Sequence, residues 1–182
     1  VFRHFEHFRI PDDVDDTALV YLTTKPTDAQ LHWLKHKLSL HANGAKQWIQ
    51  NTYAEYRSWV AYSTWFGKNM YVEFDACVLS NLLYCLNAHR LPHNEHDAAS
   101  YKYIRAVVES DRYVQEPFRC AHHYPRTALI IYHIARLIAA HDPLLLRPII
   151  PKLIADAYRL LNQATHPMDR VILSTSLVRL GQ

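Results

Sequence analysis

Apolar residues recur at helical spacing in three separate segments of the chain. Leucines lie three and four positions apart in 28–41, and the same spacing of apolar residues is found in 97–109 and 152–162. Polar residues fill the intervening positions, which is typical of a helix with one face towards solvent. The three segments are therefore predicted to be amphipathic helices.

Other segments are apolar nearly all round, a pattern typical of buried helices. They are the segment that starts near Asp16, the segment 72–89, and the segment 127–140, in which Arg136 is the single charged side chain. A last helix is predicted after Pro167. The Tyr- and Trp-rich segment 50–66 fits a strand or a short helix equally well.

The two kinds of helix alternate along the chain. The apolar ones start near Asp16, Asp75 and Thr127, roughly 50 to 60 residues apart, a period typical of stacked helical hairpins. Buried inner helices inside half-exposed outer ones would produce this alternation. The pattern predicts an all-α fold, a single domain over 1–182, arranged as an incomplete α/α toroid-like array of about seven helices.

Composition excludes several classes of function. Apolar residues are 49%, charged residues 20%, and the net charge is +3 without a dense basic run, so no nucleic-acid partner is predicted. The sequence has three glycines and contains neither a glycine-rich phosphate-binding loop nor a dinucleotide-binding fingerprint. Three cysteines do not suggest a disulfide framework, and no apolar run reaches the ~18 residues of a transmembrane helix. We therefore expect a cytoplasmic protein without a transmembrane segment.

Four carboxylates cluster just ahead of the first apolar helix, at Asp12, Asp13, Asp15 and Asp16. The amide groups of a helix N-terminus stabilise ionised carboxylates. Repulsion within such a cluster favours one member that keeps its proton. The cluster therefore suggests an acid site, although acidic residues at a helix start also serve as structural caps.

The hexamer Asp-Val-Asp-Asp-Thr-Ala at 13–18 resembles the D-x-D-D-T-A motif of class II terpenoid cyclases, such as squalene–hopene and class II diterpene cyclases. The resemblance implies that Asp15 protonates an alkene or epoxide and that Asp13 and Asp16 tune it. It implies an α/α-toroid fold and a hydrophobic isoprenoid-like ligand. The candidate pocket residues are Tyr21, Trp48, Trp59, Trp65 and Phe66. Arg126 begins an apolar helix, as Asp16 and Asp75 do, and is predicted to face the same cavity.

The chain departs from that family in two respects. It lacks Q-x-x-x-G-x-W repeats, and about seven helices are fewer than the roughly twelve of a closed toroid. A homo-oligomer or a second domain is therefore expected to complete the array. The alternative hypothesis is a non-catalytic helical scaffold or interaction domain that keeps the acid cluster.

Two metal hypotheses remain open. Asp12 to Asp16 also fit D-D-x-x-D, the Mg²⁺–diphosphate motif of class I prenyl synthases, although no second metal motif follows. Asp75 and Cys77, with His133 or His141 later in the chain, resemble the zinc site of protein prenyltransferase β subunits. Cys77 fits a small buried residue better, so the favoured prediction is a site without a cofactor.

Overall fold

The computed structural model describes residues 12–67 and 69–182, and in these ranges the protein is all-α. The described helices of ten residues or more are α1 (Val14–Thr23), α2 (Asp28–Leu40), α3 (Ala76–Ala88), α4 (Glu95–Glu109), α7 (Thr127–His141), α8 (Ile150–Gln163) and α9 (Pro167–Arg179). Single-turn helices α5 (Arg112–Gln115) and α6 (Pro117–Cys120) lie between α4 and α7. The predicted fold class is confirmed. The toroid arrangement stays a prediction.

Side-chain caps fix where several helices begin. Thr27 and Gln30 form a capping box at α2, and Asn94 and Asp97 form another at α4. The Asp75 carboxylate accepts the first free amide groups of α3. Because these caps are short-range sequence signals, the predicted starts agree with the structure to within a few residues.

Helices α1, α3, α7 and α9 pack in a row, each against the next, and α4 and α8 cover α3, α7 and α9. α3 and α7 are buried over most of their length. In the part of the chain that the structure describes, no helix is long and apolar enough to cross a membrane.

The prediction that the first apolar helix is buried all round is wrong. α1 buries only Val14 and Ala18, whereas Leu19 is 58% and Val20 55% exposed. The reason is its place in the row: α1 packs against α3 and, with Tyr21, rests on α2, and within 12–67 and 69–182 no further helix packs closely on it. At the other end of the row, Val178 on α9 is 70% exposed.

The segment 50–66 is neither a regular strand nor a long helix. It is an irregular connection with one 3₁₀ turn, Ala54–Tyr56. A single antiparallel bridge joins Asp13 to Trp65, and the Val14 amide donates to the Thr64 carbonyl at 2.9 Å. These backbone contacts hold the acid segment against the connection between α2 and α3.

Buried Asn43 organises the same connection. Its Nδ2 donates to the carbonyls of Arg57 and Trp59, both at 2.8 Å, and its Oδ1 accepts the Ile49 amide at 2.7 Å. The Asn43 side chain is 1% exposed and Ile49 is fully buried, so the Ile49 amide has no access to water if the Asn43 amide is lost.

We expect Asn43→Ala to lower the free energy of unfolding by about 3 kcal/mol, since one buried and two part-buried backbone groups lose their partner. Urea unfolding followed by circular dichroism measures the change. The matched control is Asn51→Ala, which removes an exposed amide, and should cost less than about 1 kcal/mol. Equal effects of the two substitutions would contradict this role of Asn43.

Candidate functional site

The first turn of α1 positions the three carboxylates of the hexamer differently. Asp13 caps the helix by accepting the Asp16 amide at 2.8 Å. Burial raises the pKa of Asp13 above its usual range, the Asp16 amide lowers it, and the nearby charges of Asp16 and Asp15 raise it further. Asp16 is exposed, and Asp15 faces α3. The predicted catalytic set is thus brought together within one turn.

Both carboxylate oxygens of Asp15 have partners from distant parts of the chain. Asn81 Nδ2, on α3, donates to Oδ1 at 2.7 Å, and the Tyr124 hydroxyl donates to Oδ2. Burial, followed by the hydrogen bond to Asp15, raises the pKa of Tyr124, so the phenol keeps its proton. Asp15 is therefore held in one orientation by an amide and a neutral phenol.

The side-chain amide of Asn81 cannot flip so as to exchange its oxygen and its nitrogen. Its Oδ1 accepts Nη1 of Arg136 at 3.1 Å, and a guanidinium has donors only. The same oxygen lies 2.9 Å from Nδ1 of His133, which must therefore carry the hydrogen. The Arg136 guanidinium also lies over the ring of Tyr84, 4.2 Å from its centroid. With the oxygen fixed towards α7, Nδ2 necessarily faces Asp15.

His133 is neutral at physiological pH. Burial lowers its pKa to about 4; the charges of Arg136 and Arg179 also lower it, and Asp15 acts in the opposite direction. A neutral imidazole with hydrogen on Nδ1 suits the acceptor oxygen of Asn81. His133 and Arg136 thus both orient the side-chain amide of Asn81, which in turn donates to Asp15.

Two cavities meet at Asp15, and Asp16 and Tyr124 border both of them. The larger has a volume of about 240 Å³ and is lined by Asp15, Asp16, Leu19, Leu22, Asn81, Tyr124 and Arg136. The smaller has a volume of about 140 Å³ and is lined by Asp13, Asp15, Asp16, Thr64, Trp65, Val78, His123 and Tyr124. Asp15 therefore borders two spaces, one with Leu19 and Leu22 in its wall and one with Trp65 and Val78.

Of the predicted aromatic pocket residues, Trp65 borders the smaller cavity, and none of the others borders either cavity. The Tyr21 hydroxyl donates to the Gln30 carbonyl on α2. Trp48 is 52% exposed. Trp59 stacks on Tyr56 at a centroid distance of 4.4 Å. These rings pack on the α2–α3 connection or on α2, so the pocket roles of Tyr21, Trp48 and Trp59 stay predictions.

Phe66 and Arg126 are also absent from the walls of both cavities. Phe66 is buried under Lys37, whose Nζ lies 4.5 Å from the ring centroid. Arg126 pairs with Asp169 on α9 and borders a separate cavity of about 360 Å³. Their places in the pocket stay predictions, since the start of an apolar helix does not by itself put Arg126 beside the start of α1.

The zinc ligands suggested by the sequence do not converge. Asp75 Oδ1 accepts the amides of Cys77 and Val78, and its Oδ2 accepts the His123 amide. Burial raises the pKa of the Cys77 thiol and, to about 6, that of Asp75. His133 faces Asn81 instead. Within 12–67 and 69–182, no group of three His, Cys, Asp or Glu side chains could hold a metal ion.

Asn81, Tyr124 and Arg136 were not predicted as site residues. Arg136 carried a visible signal, as the single charge in an apolar helix, and Asn81 is likewise an amide in the middle of apolar α3. Tyr124 follows His123 in a loop and gave no signal. Comparison with protein-family models, curated proteins and solved structures found no match for this chain.

The lowered pKa of His133 predicts a pH dependence of stability. Between about pH 4 and 6.5 the unfolded chain binds a proton at His133 that the folded protein does not, so stability rises with pH through this window. His133→Gln removes this contribution. The stability of the wild-type protein relative to His133→Gln should rise by about 3 kcal/mol from pH 4 to pH 6.5.

Urea unfolding of both proteins across this pH range measures the difference. Because burial raises the pKa of Asp75 to about 6, titration of Asp75 lowers the stability as pH rises through the same window. This effect cancels in the difference between the wild-type protein and His133→Gln. His36→Gln, at an exposed histidine, is the matched control for the loss of an imidazole. If the difference between the wild-type protein and His133→Gln does not change with pH, His133 is not held neutral.

Proposed function

We propose that this protein is a terpenoid-cyclase-like enzyme in which Asp15 protonates a carbon–carbon double bond or an epoxide of an isoprenoid and so starts its cyclisation. The observation that carries the proposal is the position of Asp15. It is the middle acid of the cyclase-like hexamer, it is held by Asn81 and Tyr124, and it borders two cavities.

The contacts of Asp15 suit a carboxylic acid as well as a carboxylate. Asn81 Nδ2 can only donate, so Oδ1 remains the acceptor in either state. A hydroxyl can donate or accept, so Tyr124 stays a partner when Oδ2 carries the proton. Beside Asp15, burial raises the pKa of Asp13, the Asp16 amide lowers it, and the nearby charges of Asp16 and Asp15 raise it further.

The surroundings suit a carbocation. Leu19 and Leu22 give the larger cavity apolar walls, and the Trp65 and Tyr124 rings lie beside the acid. Aromatic faces attract cations, and apolar walls keep water from quenching them. Tyr124 and Trp65 thus take the role that the sequence had assigned to a larger set of aromatic residues.

A second candidate is a non-catalytic helical scaffold that binds a partner or another copy of the chain. It is favoured by the apolar side chains exposed at both ends of the helix row, Leu19 and Val20 on α1 and Val171 and Val178 on α9. If the protein is a scaffold, the hydrogen bonds of Asp15 serve only to hold α1 against α3 and against Tyr124.

The substitution Asp15→Asn separates the two candidates. It keeps the shape of the side chain and an acceptor for Asn81, but it removes the acidic proton. If Asp15 is the acid, cyclisation of a linear prenyl diphosphate or a linear polyene should fall by at least about 10²-fold, with a small change in melting temperature.

Products are identified by gas chromatography with mass spectrometry, and melting is followed by circular dichroism. The matched control is Asp28→Asn, at an exposed acid in the first turn of α2. The scaffold is the better description if the wild-type protein converts none of these substrates, or if Asp15→Asn loses stability without losing turnover.

A further inference from the structure

A third cavity lies beside the C-terminal end of α2, and its volume of about 490 Å³ exceeds that of either cavity at Asp15. Small-molecule sites in proteins usually have volumes of about 300–1,000 Å³, so this volume suits a small ligand. We call the cavity the Lys46 cleft. Its wall includes His41, Lys46, Gln47, Trp65, Met70 and Tyr71.

Lys46 brings to the cleft a positive charge that no acid of the described ranges neutralises. Its Nζ donates to His41 Nε2 at 3.2 Å and forms no ion pair with a carboxylate in 12–67 or 69–182. No aspartate or glutamate of these ranges lines the cleft either. An ammonium group without a carboxylate partner attracts an anion to such a wall.

His41 orients this ammonium group without adding a second charge. Its Nδ1 lies 2.9 Å from the Lys37 carbonyl, which can only accept, so Nδ1 carries a hydrogen. Its Nε2 must have a free lone pair, because the ammonium of Lys46 can only donate to it. The pair therefore carries one positive charge, and the other N–H groups of Lys46 remain for a ligand.

The turn that carries Lys46 is tied to the opposite wall of the cleft. Gln47 Nε2 donates to the Met70 carbonyl at 2.6 Å, and the Gln47 carbonyl accepts the Gly44 amide at 3.0 Å. Gly44 has a φ of +88°, which glycine adopts without strain, and the Trp48 ring packs where a Cβ atom would otherwise lie. The two walls are thus joined without a ligand.

The rest of the wall suits the apolar part of a ligand. Trp65, Met70, Tyr71 and Val72 line it, and Tyr71 is 54% exposed, so its ring is accessible. The indole N–H of Trp65 already donates to Glu73 Oε2 at 3.0 Å. The Trp65 ring therefore offers carbon atoms rather than a hydrogen-bond donor to the cleft.

We infer that the Lys46 cleft binds a small organic monocarboxylate, with the carboxylate on the Lys46 ammonium and the hydrocarbon part against Trp65 and Tyr71. One ammonium matches one negative charge. A phosphate monoester or a diphosphate carries more charge and would need further cations, which the described wall does not offer. The inference goes beyond the proposed function, because Asp15 does not line the cleft.

The test measures binding of naphthylacetate and of its uncharged analogue, naphthylacetamide. Titrations followed by proton–nitrogen NMR at pH 7 give both affinities for the wild-type protein and for Lys46→Gln. The wild-type protein should bind the carboxylate at least about 10-fold more tightly than the amide, because a charge-assisted hydrogen bond contributes to binding. Lys46→Gln should remove this preference and leave the affinity for the amide unchanged.

The matched control is Lys102→Gln, at an exposed lysine whose Nζ lies 4.3 Å from the Trp59 ring centroid. It should leave both affinities unchanged, because Lys102 does not line the cleft. The indole N–H signal of Trp65, assigned with Trp65→Phe, should shift on binding more than those of Trp33 and Trp59.

Four results would each overturn the inference: no binding of naphthylacetate at millimolar concentration, equal affinities of the wild-type protein for carboxylate and amide, tighter binding of naphthyl phosphate, or equal losses in Lys46→Gln and Lys102→Gln. Circular dichroism shows whether Lys46→Gln is folded. If it is not, the preference of the wild-type protein for the carboxylate and the Trp65 signal still test the site. None of these readouts requires turnover, so they are independent of the proposed cyclisation.

Discussion

The amide of Asn81 is the point at which three helices of the row meet. It donates to Asp15 on α1, lies itself on α3, and accepts from His133 and Arg136 on α7. A side-chain amide in the middle of a buried helix must find both a donor and an acceptor nearby, or the fold loses the free energy of an unmade hydrogen bond. The mutual position of α1, α3 and α7 satisfies that demand.

One polar group therefore serves both the packing and the site. Arg136 and His133 fix the amide, the amide fixes Asp15, and Tyr124 holds the other oxygen of that carboxyl. The chain of contacts explains why an apolar helix such as α7 carries a charge at all. It also explains how a carboxyl at a helix start, which usually has freedom to move, has one orientation here.

The all-α class and the order of the helices could be predicted from the sequence because both follow from local periodicity and capping. Asp15 could be singled out because its hexamer is contiguous. The positions of the aromatic residues could not be predicted in the same way. Trp48 and Trp59 lie in a connection whose path depends on the hydrogen bonds of Asn43, and no helical or strand periodicity in the sequence around Asn43 indicates them. Arg126 borders a different cavity, because similarity of helix starts does not determine which starts share an end of the array.

The partners of Asp15 are distant in sequence: Asn81 is 66 residues and Tyr124 is 109 residues after it. Contacts of such long sequence separation form late in folding, because a large loop must close before they contribute free energy. Helices such as α2 and α4, with their own caps, can form earlier. During synthesis, Asp15 leaves the ribosome long before Tyr124 exists, so the carboxyl stays without this donor until the ribosome has added the 109 residues up to Tyr124.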